Sequence, residues 1–554
     1  MDRNLYDKQT VMVPKKSGFD KSFQNLFTAK VGTIVPILTD ELIPNTTVNL
    51  KAAISAQLPP LASDTFMRCK LKYAAFFVPT RILVNRYEDW LSDAPTVGGH
   101  SGVRMPIITM PAGATGEQRV QYLGPGTLAD YLGYKTTKAT INGLKDTIKI
   151  NALPFLAYHR IYEDWFRNSI IQKSIYVDVP TLDALDAAVA RQYAVSRSPF
   201  VSPSYDKVFQ INPLTSTSSE AGSPIFADGV HIMNARQANF DIDLFTSCMP
   251  QAQNGNGQTV SLKVTTGSTP SGEFTISALR AANSIQQFLE RNNIAGNRIV
   301  DFVKANYGAN LSDGVAQRAV LLGSGSFDVY SKGVYQTAAQ SGTTNNPFNS
   351  VAAKYGSAFA DGNDTLVENF TAMEPGYLMV VCWLSPKATY STGVDPILDR
   401  YIDGTSGASQ RTQMANPLLQ NVGNEAIQNK LITDKVNSGL IFGYNDRYCT
   451  WKDKFDEVHG LLRDGESLEA FALQRTFTTD VPTISTSFLQ IPTNYLDQVS
   501  AAKDDVSKYG YWCDTYFDYK VSMPLARYSI PSLQNPAEEH GEAITVNRGG
   551  THLS

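Results

Sequence analysis

The sequence predicts a mainly β protein with long loop insertions and several short helices, and three observations carry that prediction. Tyr and Phe number 26 each beside 39 Gly and 28 Pro, a composition that favours pleated strands joined by long turns. The stretch "MRCKLKYAAFFVP" at 67–79 alternates Cys69, Leu71 and Tyr73 on one face and then becomes continuously apolar, which describes a strand entering a core. Between such runs lie Ser-, Gly- and Pro-rich segments without lasting periodicity, the mark of loops. With 554 residues, 42% hydrophobic and 18% charged, the chain has ample length and apolar content for one large domain with insertions or for several ordinary ones.

Taken in order, residues 1–20 are polar and mixed in charge, with Lys15-Lys16 beside Ser17-Gly18, and predict a mobile arm. "VGTIVPILTDELIPNTTVNLKAAISAQLPP" at 31–60 breaks short apolar runs with Pro and Asn-Thr turns, a pattern of β-segments. The tetrapeptide Tyr-Glu-Asp-Trp then occurs twice, at 87–90 and 162–165, each time with Tyr eight residues after a proline, Pro79 or Pro154. Ile82, Leu83, Tyr87, Trp90 and Leu91 follow the three-or-four spacing of one helical face, as do Phe155, Tyr158, Tyr162, Trp165 and Phe166. Proline suits a first helical turn, where its missing N–H would be unpaired anyway. Glu88-Asp89 and Glu163-Asp164 fall off the apolar stripe and are expected to point to water or to a neighbour. The match does not extend beyond about a dozen residues, so it reads as two short amphipathic helices on a β-framework rather than a duplicated domain.

Residues 170–240 hold many Ser, Pro and Gly and predict a functional surface insertion. A helix is expected from about Ser277 to Asn292, with Leu279, Ala282, Ile285, Phe288 and Leu289 on one face. Further loops are expected at 336–350 and 391–413, and strands at 376–385, 437–443 and 511–523. "YLMVVCWL" at 377–384 is far shorter than the roughly 20 apolar residues a bilayer span needs and reads as a buried strand closed by Ser385-Pro386.

Little in the chain reads as chemistry. A net charge of −4 argues against wholesale electrostatic binding of nucleic acid or membrane, so any nucleic-acid contact must be a local patch. Cys69, Cys248, Cys382, Cys449 and Cys513 form no CxxC pair and read as reduced core residues in a cytosolic setting, not as a disulfide framework or zinc site. The amino terminus lacks the apolar region of a secretory signal. No phosphate loop, GxGxxG turn or HExxH is present, and the six histidines form no metal pair at helical spacing. The tandem Glu-Asp pairs beside aromatics are the enzymatic candidates, since glycosidases separate two acids by about 5–10 Å. Adjacent helical residues do not face one site, however, and a solvated face is the simpler reading. His159 reads as a helix-surface residue, and Lys15-Lys16 as a solvated tail.

Seven segments in order resemble the major capsid protein of the microviruses, small single-stranded DNA phages, and in particular its gokushovirus type. They are "SGFDKSFQNLFTAKVGTIVPILTDELIPNTTVNL", "FFVPTRILVNRYEDW", "LPFLAYHRIYEDWFRN", "DLFTSCMPQAQNGNGQTVSL", "ISALRAANSIQQFLERNNIAGNRIVDFVKANYGA", "FGYNDRYCTWKDKFDEVHGLLR" and "WCDTYFDYKVSMPLARYSIPSL". Glu163 stands where the family pattern has Asn. The resemblance implies one viral jelly-roll domain over 1–554: eight antiparallel strands in two facing sheets with long insertions, 170–240 being the insertion exposed on the surface. It implies self-assembly into a T=1 icosahedral shell around circular single-stranded DNA, with no enzymatic activity, cofactor, metal or membrane insertion. A small DNA-binding protein, a pilot or minor virion protein and a host surface receptor are the further partners, and the virion, assembled in the host bacterial cytoplasm, is the location. Tyr87, Trp90, Tyr162 and Trp165 are the expected packing and assembly residues. Arg3, Lys8, Lys15 and Lys16 are the expected nucleic-acid contacts; weak binding per subunit suffices when many copies act together. The alternative is a β-sandwich protein that binds or cleaves carbohydrate.

Overall fold

A computed structural model describes residues 8–59, 61, 65–84, 87–92, 105–175, 210–214, 225–226, 228–251, 280, 284, 298–336, 354–399, 425–433, 440–446, 448–477, 483–500, 510–525 and 541–547. In chain order its strands are β1 (Lys8–Pro14), β2 (Ser17–Asp20), β3 (Phe23–Ala29), β4 (Val35–Leu42), β5 (Thr46–Gln57), β6 (Cys69–Pro79), β7 (Ile107–Met110), β8 (Ile148–Asn151), β9 (Gln210–Ile211), β10 (Val320–Gln336), β11 (Lys354–Ala372), β12 (Gly376–Pro386), β13 (Glu425–Gln428), β14 (Ile441–Asn445), β15 (Tyr511–Met523) and β16 (Gly541–Asn547).

One continuous antiparallel ladder organises the molecule. Its order is β2-β15-β5-β11-β10-β6-β12-β4, with β3 also paired to β15. The long hairpin β10–β11 is where the ladder folds back. Val320–Val329 of β10 pairs with β6, whereas Tyr330–Gln336 pairs with β11. Correspondingly, β11 pairs with β10 through Lys354–Phe359 and with β5 through Phe359–Ala372. The result is two facing layers, β15-β5-β11 with β3 and β2 in turn along the free edge of β15, and β10-β6-β12-β4. Contacts across the gap confirm that they face each other: Tyr73 Oη of β6 donates to Asp364 Oδ2 of β11 at 2.8 Å, and the Phe77 and Phe370 rings lie 5.2 Å apart. Chain order alternates between the layers in the jelly-roll manner. Where β10 of one layer runs against β11 of the other, glycine makes the close approach possible: a Cβ on Gly323 would lie 2.0 Å from the backbone oxygen of Leu366.

The two layers differ in what covers them. In β15, Tyr511, Cys513, Thr515, Phe517, Tyr519 and Val521 point inward and are buried, while the residues between them are exposed or half-buried. In β12 nearly every residue is buried, which explains its unbroken apolar run: a strand covered on both faces has no polar side. The cover comes from described parts of the segment between β6 and β10, residues 153–166 among them. From it, helix α1 (Tyr87–Ser92), α2 (Gly116–Leu123), α3 (Leu128–Tyr131), α4 (Lys138–Gly143) and α5 (Leu153–Ile161) arise. Thr115, Thr127 and Thr137 cap α2, α3 and α4 by accepting from backbone N–H groups, as short-chain hydroxyls do at helix starts. Phe76 of β6 meets Trp165 and Phe166, and Phe166 packs edge-on against Trp383 of β12 at 4.9 Å.

Several expectations change. The arm read as mobile is paired: Lys8–Pro14 with Asn547–Gly541, and Ser17–Asp20 with Met523–Lys520. Strand pairing satisfies backbone groups that composition alone leaves to water. The expected surface insertion is interior in its last part. Phe226, Ile232, Met233, Ala238 and Phe240 are buried, and Ile34 N–H donates to Arg236 O at 2.9 Å beside the Thr33–Gln237 bridge, so this segment closes the outer edge of the sheet near β4. Residues 176–209, 215–224 and 227 lie outside the described residues, as do the loops expected at 336–350 and 391–413, apart from Gln336, which ends β10, and 391–399, where Pro396–Asp399 forms a short helix. So does the helix expected at 277–292, save Arg280 and Ser284, which are helical. The strands expected at 376–385 and 511–523 are present, and the one expected at 437–443 runs over Ile441–Asn445. All five cysteines are buried and free; burial pushes the Cys382 thiol up to about 12, which keeps it an unreactive neutral group.

Candidate assembly surface and genome-contact residues

The two Tyr-Glu-Asp-Trp stretches do different work. After α5 the chain widens into one π turn, Tyr162–Phe166, closed by Arg167 N–H donating to Tyr162 O at 3.0 Å. Of the two readings left open for Glu163 and Asp164, water or a neighbour, the second holds: Glu163 is buried, Asp164 half-buried, and both are paired at helical spacing. Glu163 pairs with Arg167 at 2.8 Å (side chains 7% and 9% exposed), and Asp164 with Arg160 at 2.7 Å (11% and 7%). Glu163 also accepts from Ser174 Oγ at 2.9 Å and Ile175 N–H at 3.1 Å. Its carbonyl accepts from Arg298 Nη2 at 2.6 Å, just before the helix Ile299–Tyr307. Asp164 accepts from Ala319 N–H at 2.9 Å while Trp165 Nε1 donates to Ala319 O at 2.8 Å. The pair thus clamps the peptide that leads into β10. The Arg318 guanidinium lies 4.4 Å over the Trp165 ring and pairs with Asp313 at 2.6 Å. The correction has a simple cause: α5 is buried on every side, because the sheet lies under it and 225–240 lies over it, so no face remains for water.

His159 is corrected for the same reason. It is fully buried: Nδ1 accepts from Arg236 Nε at 2.9 Å, leaving Nε2–H to donate to Ile232 O at 2.8 Å. Arg236 in turn pairs with Asp228 and stacks 4.8 Å over Tyr162. His231 repeats the arrangement, accepting at Nδ1 from Met233 N–H and donating from Nε2 to Pro213 O, with Tyr122 stacked at 4.5 Å. Burial lowers both imidazoles below their ordinary range, and the Arg236 charge lowers His159 further. This polar knot ties α5, α2 and 225–240 together. No spacing of the six histidines signals it, since its members are distant in sequence.

The first stretch stands at the surface. Tyr87 is buried and stacks on Trp90 at 5.8 Å, but Trp90 is 41% and Leu91 60% exposed. Burial, with Glu41 nearby, raises the Tyr87 phenol. Trp90, expected to be docked like Trp165, therefore presents its ring outward. A second exposed set lies on the outer face of β3 and β15, where Leu26 (69%), Tyr516 (52%) and Trp512 (40%) surround Asp514. Among the described residues, the partner layer of the sheet there lies on its inner side.

Of the expected nucleic-acid contacts, Arg3 lies outside the described residues. Lys8 opens β1. Lys15 and Lys16 are exposed, and Lys16 Nζ donates to Thr47 Oγ1 at 3.3 Å, placing it at the first residues of β5. Among the described residues no group of three or more His, Cys, Asp or Glu side chains is arranged to hold a metal ion, and no helix is long and apolar enough to cross a membrane.

Comparison with known proteins agrees with this architecture. The profile of the family described as capsid protein (F protein) matches residues 9–533. Capsid protein VP1 of Bdellovibrio phage phiMH2K is 26% identical over 542 residues, covering 93% of this chain and 95% of that one. Capsid protein VP1 of Chlamydia phage 1 is 25% identical over 624 residues, covering 96% and 98%. Capsid protein VP1 of Spiroplasma virus 4 is 23% identical over 547 residues, covering 91% and 93%. A profile match over nearly the whole length, laid on a jelly-roll framework, makes this chain a member of the phage capsid protein (F protein) family.

Proposed function

We propose that copies of this chain close into a T=1 icosahedral shell around circular single-stranded DNA, and that the chain works by shape and contact rather than by catalysis. The observation that carries the reading is the asymmetry of the sandwich. One layer is covered by the chain's own insertion, whereas the other leaves Leu26, Tyr516 and Trp512 exposed, and α1 leaves Trp90 and Leu91 exposed. Exposed aromatics beside charged residues are what interfaces between subunits use. Trp90 and Tyr87 belong to the contact between copies, while Tyr162 and Trp165 hold the subunit in the form that can make it. Lys8, Lys15 and Lys16, with Arg3, contribute to the genome-facing surface, each weakly and many times over. A small DNA-binding protein, a pilot or minor virion protein and a host receptor complete the partners in a virion assembled in the bacterial cytoplasm.

The carbohydrate-cleaving alternative loses one of its two acid pairs, while the side chains of Glu88 and Asp89 lie outside the described residues. Glu163 and Asp164 are each held by an arginine, so neither is a free acid facing a substrate. The test is electron microscopy of the purified chain: uniform small icosahedral particles are expected, and a species that never associates refutes the reading.

A further inference from the structure

We propose that residues 228–240 form an acid-sensitive clasp, closed on α5 while His159 and His231 are neutral and opened along its 228–235 half when they take up protons. The proposal concerns the subunit itself and stands whether or not copies close into a shell. The two halves of the segment are held differently. The 236–240 half is fixed by backbone bonds: Ile34 N–H donates to Arg236 O at 2.9 Å, Ala238 N–H to Gly32 O at 2.7 Å, Ile491 N–H to Ala238 O at 3.0 Å and Phe240 N–H to Leu489 O at 2.9 Å. Among the described residues, the 228–235 half reaches other elements by hydrogen bonds only through the two imidazoles. His159 Nε2 donates to Ile232 O at 2.8 Å, and His231 Nε2 to Pro213 O at 2.9 Å. Loss of both bonds leaves this half hinged at 236–240, the kind of unit that opens before the whole molecule unfolds.

Neither ring has an acceptor for a second proton. In His159, Nδ1 accepts from Arg236 Nε at 2.9 Å, so a proton there turns the acceptor into a donor and sets an imidazolium against a guanidinium. In His231, Nδ1 accepts from Met233 N–H at 3.1 Å, and a proton there opposes two donors. The charged and titratable groups around His159 are Arg236 and Asp228 from the segment, Tyr158 and Tyr162 from α5 and the turn after it, Tyr131 from α3, and His231. Tyr122 of α2 stacks on His231 at 4.5 Å. Asp228 is engaged by Arg236 Nη1, and among the described residues no carboxylate is hydrogen-bonded to either ring. Burial raises the Tyr158 and Tyr162 phenols, which therefore supply no negative charge. The closed clasp excludes an imidazolium, whereas water around the open one accepts it. At pH 5, roughly 1.5 pH units below the ordinary imidazole value of about 6.5, each ring shifts the balance towards the open form by up to about thirtyfold, and both together by up to about a thousandfold.

The test is backbone hydrogen exchange of the full chain at pH 7 and pH 5, read by mass spectrometry with the intrinsic effect of pH removed. Amides of 228–235 are expected to exchange faster than those of β12 at both pH values, and about thirtyfold or more faster at pH 5 than at pH 7. The double variant His159→Gln with His231→Gln places a neutral amide, with one acceptor and a donor, at each site. It is expected to protect 228–235 equally at both pH values. In the unmodified chain, exchange at the ring C2–H reads the protonation of His159 and His231 directly and is expected to follow the loss of amide protection, so the proposal stays testable if the double variant does not fold. Four outcomes overturn it: unchanged protection of 228–235 at pH 5, a common exchange rate for 228–235 and β12, rings that charge while 228–235 stays protected, or a folded double variant that still opens at pH 5. The last assigns the acid response to Asp228 instead.

Discussion

Replacing Glu163 by Ala tests whether the buried knot beside α5 holds the subunit together. The substitution leaves Arg167, at 9% side-chain exposure, without its carboxylate at 2.8 Å, and removes the acceptor that Ser174 and Ile175 N–H share. Ile175 is 1% exposed, so water does not replace the lost acceptor. Breaking a buried ion pair by deleting one partner costs about 3–5 kcal/mol, because the other charge remains in place uncompensated. The two hydrogen bonds belong to the same group and are not added on top. Glu163→Gln keeps an acceptor for Ile175 N–H and loses only the charge, so about 1–2 kcal/mol is expected, the difference between a charge-assisted and a neutral hydrogen bond. The assay is denaturant unfolding of the unassembled subunit, followed by particle yield. The expected order is native, then Gln, then Ala, with Ala yielding few particles. A Glu163→Ala subunit within about 1 kcal/mol of the native one would refute the reasoning and restore Glu163 to the solvated face that its place in the helix implies.

Other perturbations separate the two aromatic sites and probe the core. Trp165→Ala removes the ring under Arg318 and the donor to Ala319 O and should cost about 3 kcal/mol in subunit unfolding. Trp90→Ala, at 41% exposure, should change subunit stability by less than about 1 kcal/mol while lowering particle yield; undiminished yield would remove α1 from the assembly surface. Gly510 has φ +68° and a Cβ there would lie 1.9 Å from Ala29 O, so Gly510→Ala should destabilise by more than the roughly 1 kcal/mol of a left-handed backbone penalty alone, read as a lower unfolding midpoint. For pH, both His159 and His231 have folded pKa values below the unfolded value of about 6.5. The unfolded chain therefore binds more protons beneath that value. Stability should be full above about pH 6.5 and fall as pH drops, and His159→Gln should flatten that slope in denaturant midpoints measured from neutral to mildly acidic pH.

Much of the fold was legible because strand patterns are local. Alternation in β5 and β15 and the unbroken apolar run of β12 follow from whether one or both faces of a strand are covered, and side chains two residues apart report that directly. The buried cysteines and the helix at Pro154 were legible for similar reasons. The two Tyr-Glu-Asp-Trp stretches show where local reading stops. The same four residues produce an exposed Trp90 and a half-buried Trp165, because what lies over each helix comes from distant chain.

By itself, the sequence determined the class of fold, the presence of helices beside the sheet and the likeness to phage capsid proteins, all of which depend on residue order and short-range period. Tertiary structure alone decided that Glu163, Asp164 and His159 are interior and that Lys8–Pro14 is a paired strand. Whether a polar side chain meets water or a partner depends on segments distant in sequence, as Asp164 and Ala319 show, and burial turns the same carboxylate or imidazole from a solvated ornament into a structural joint.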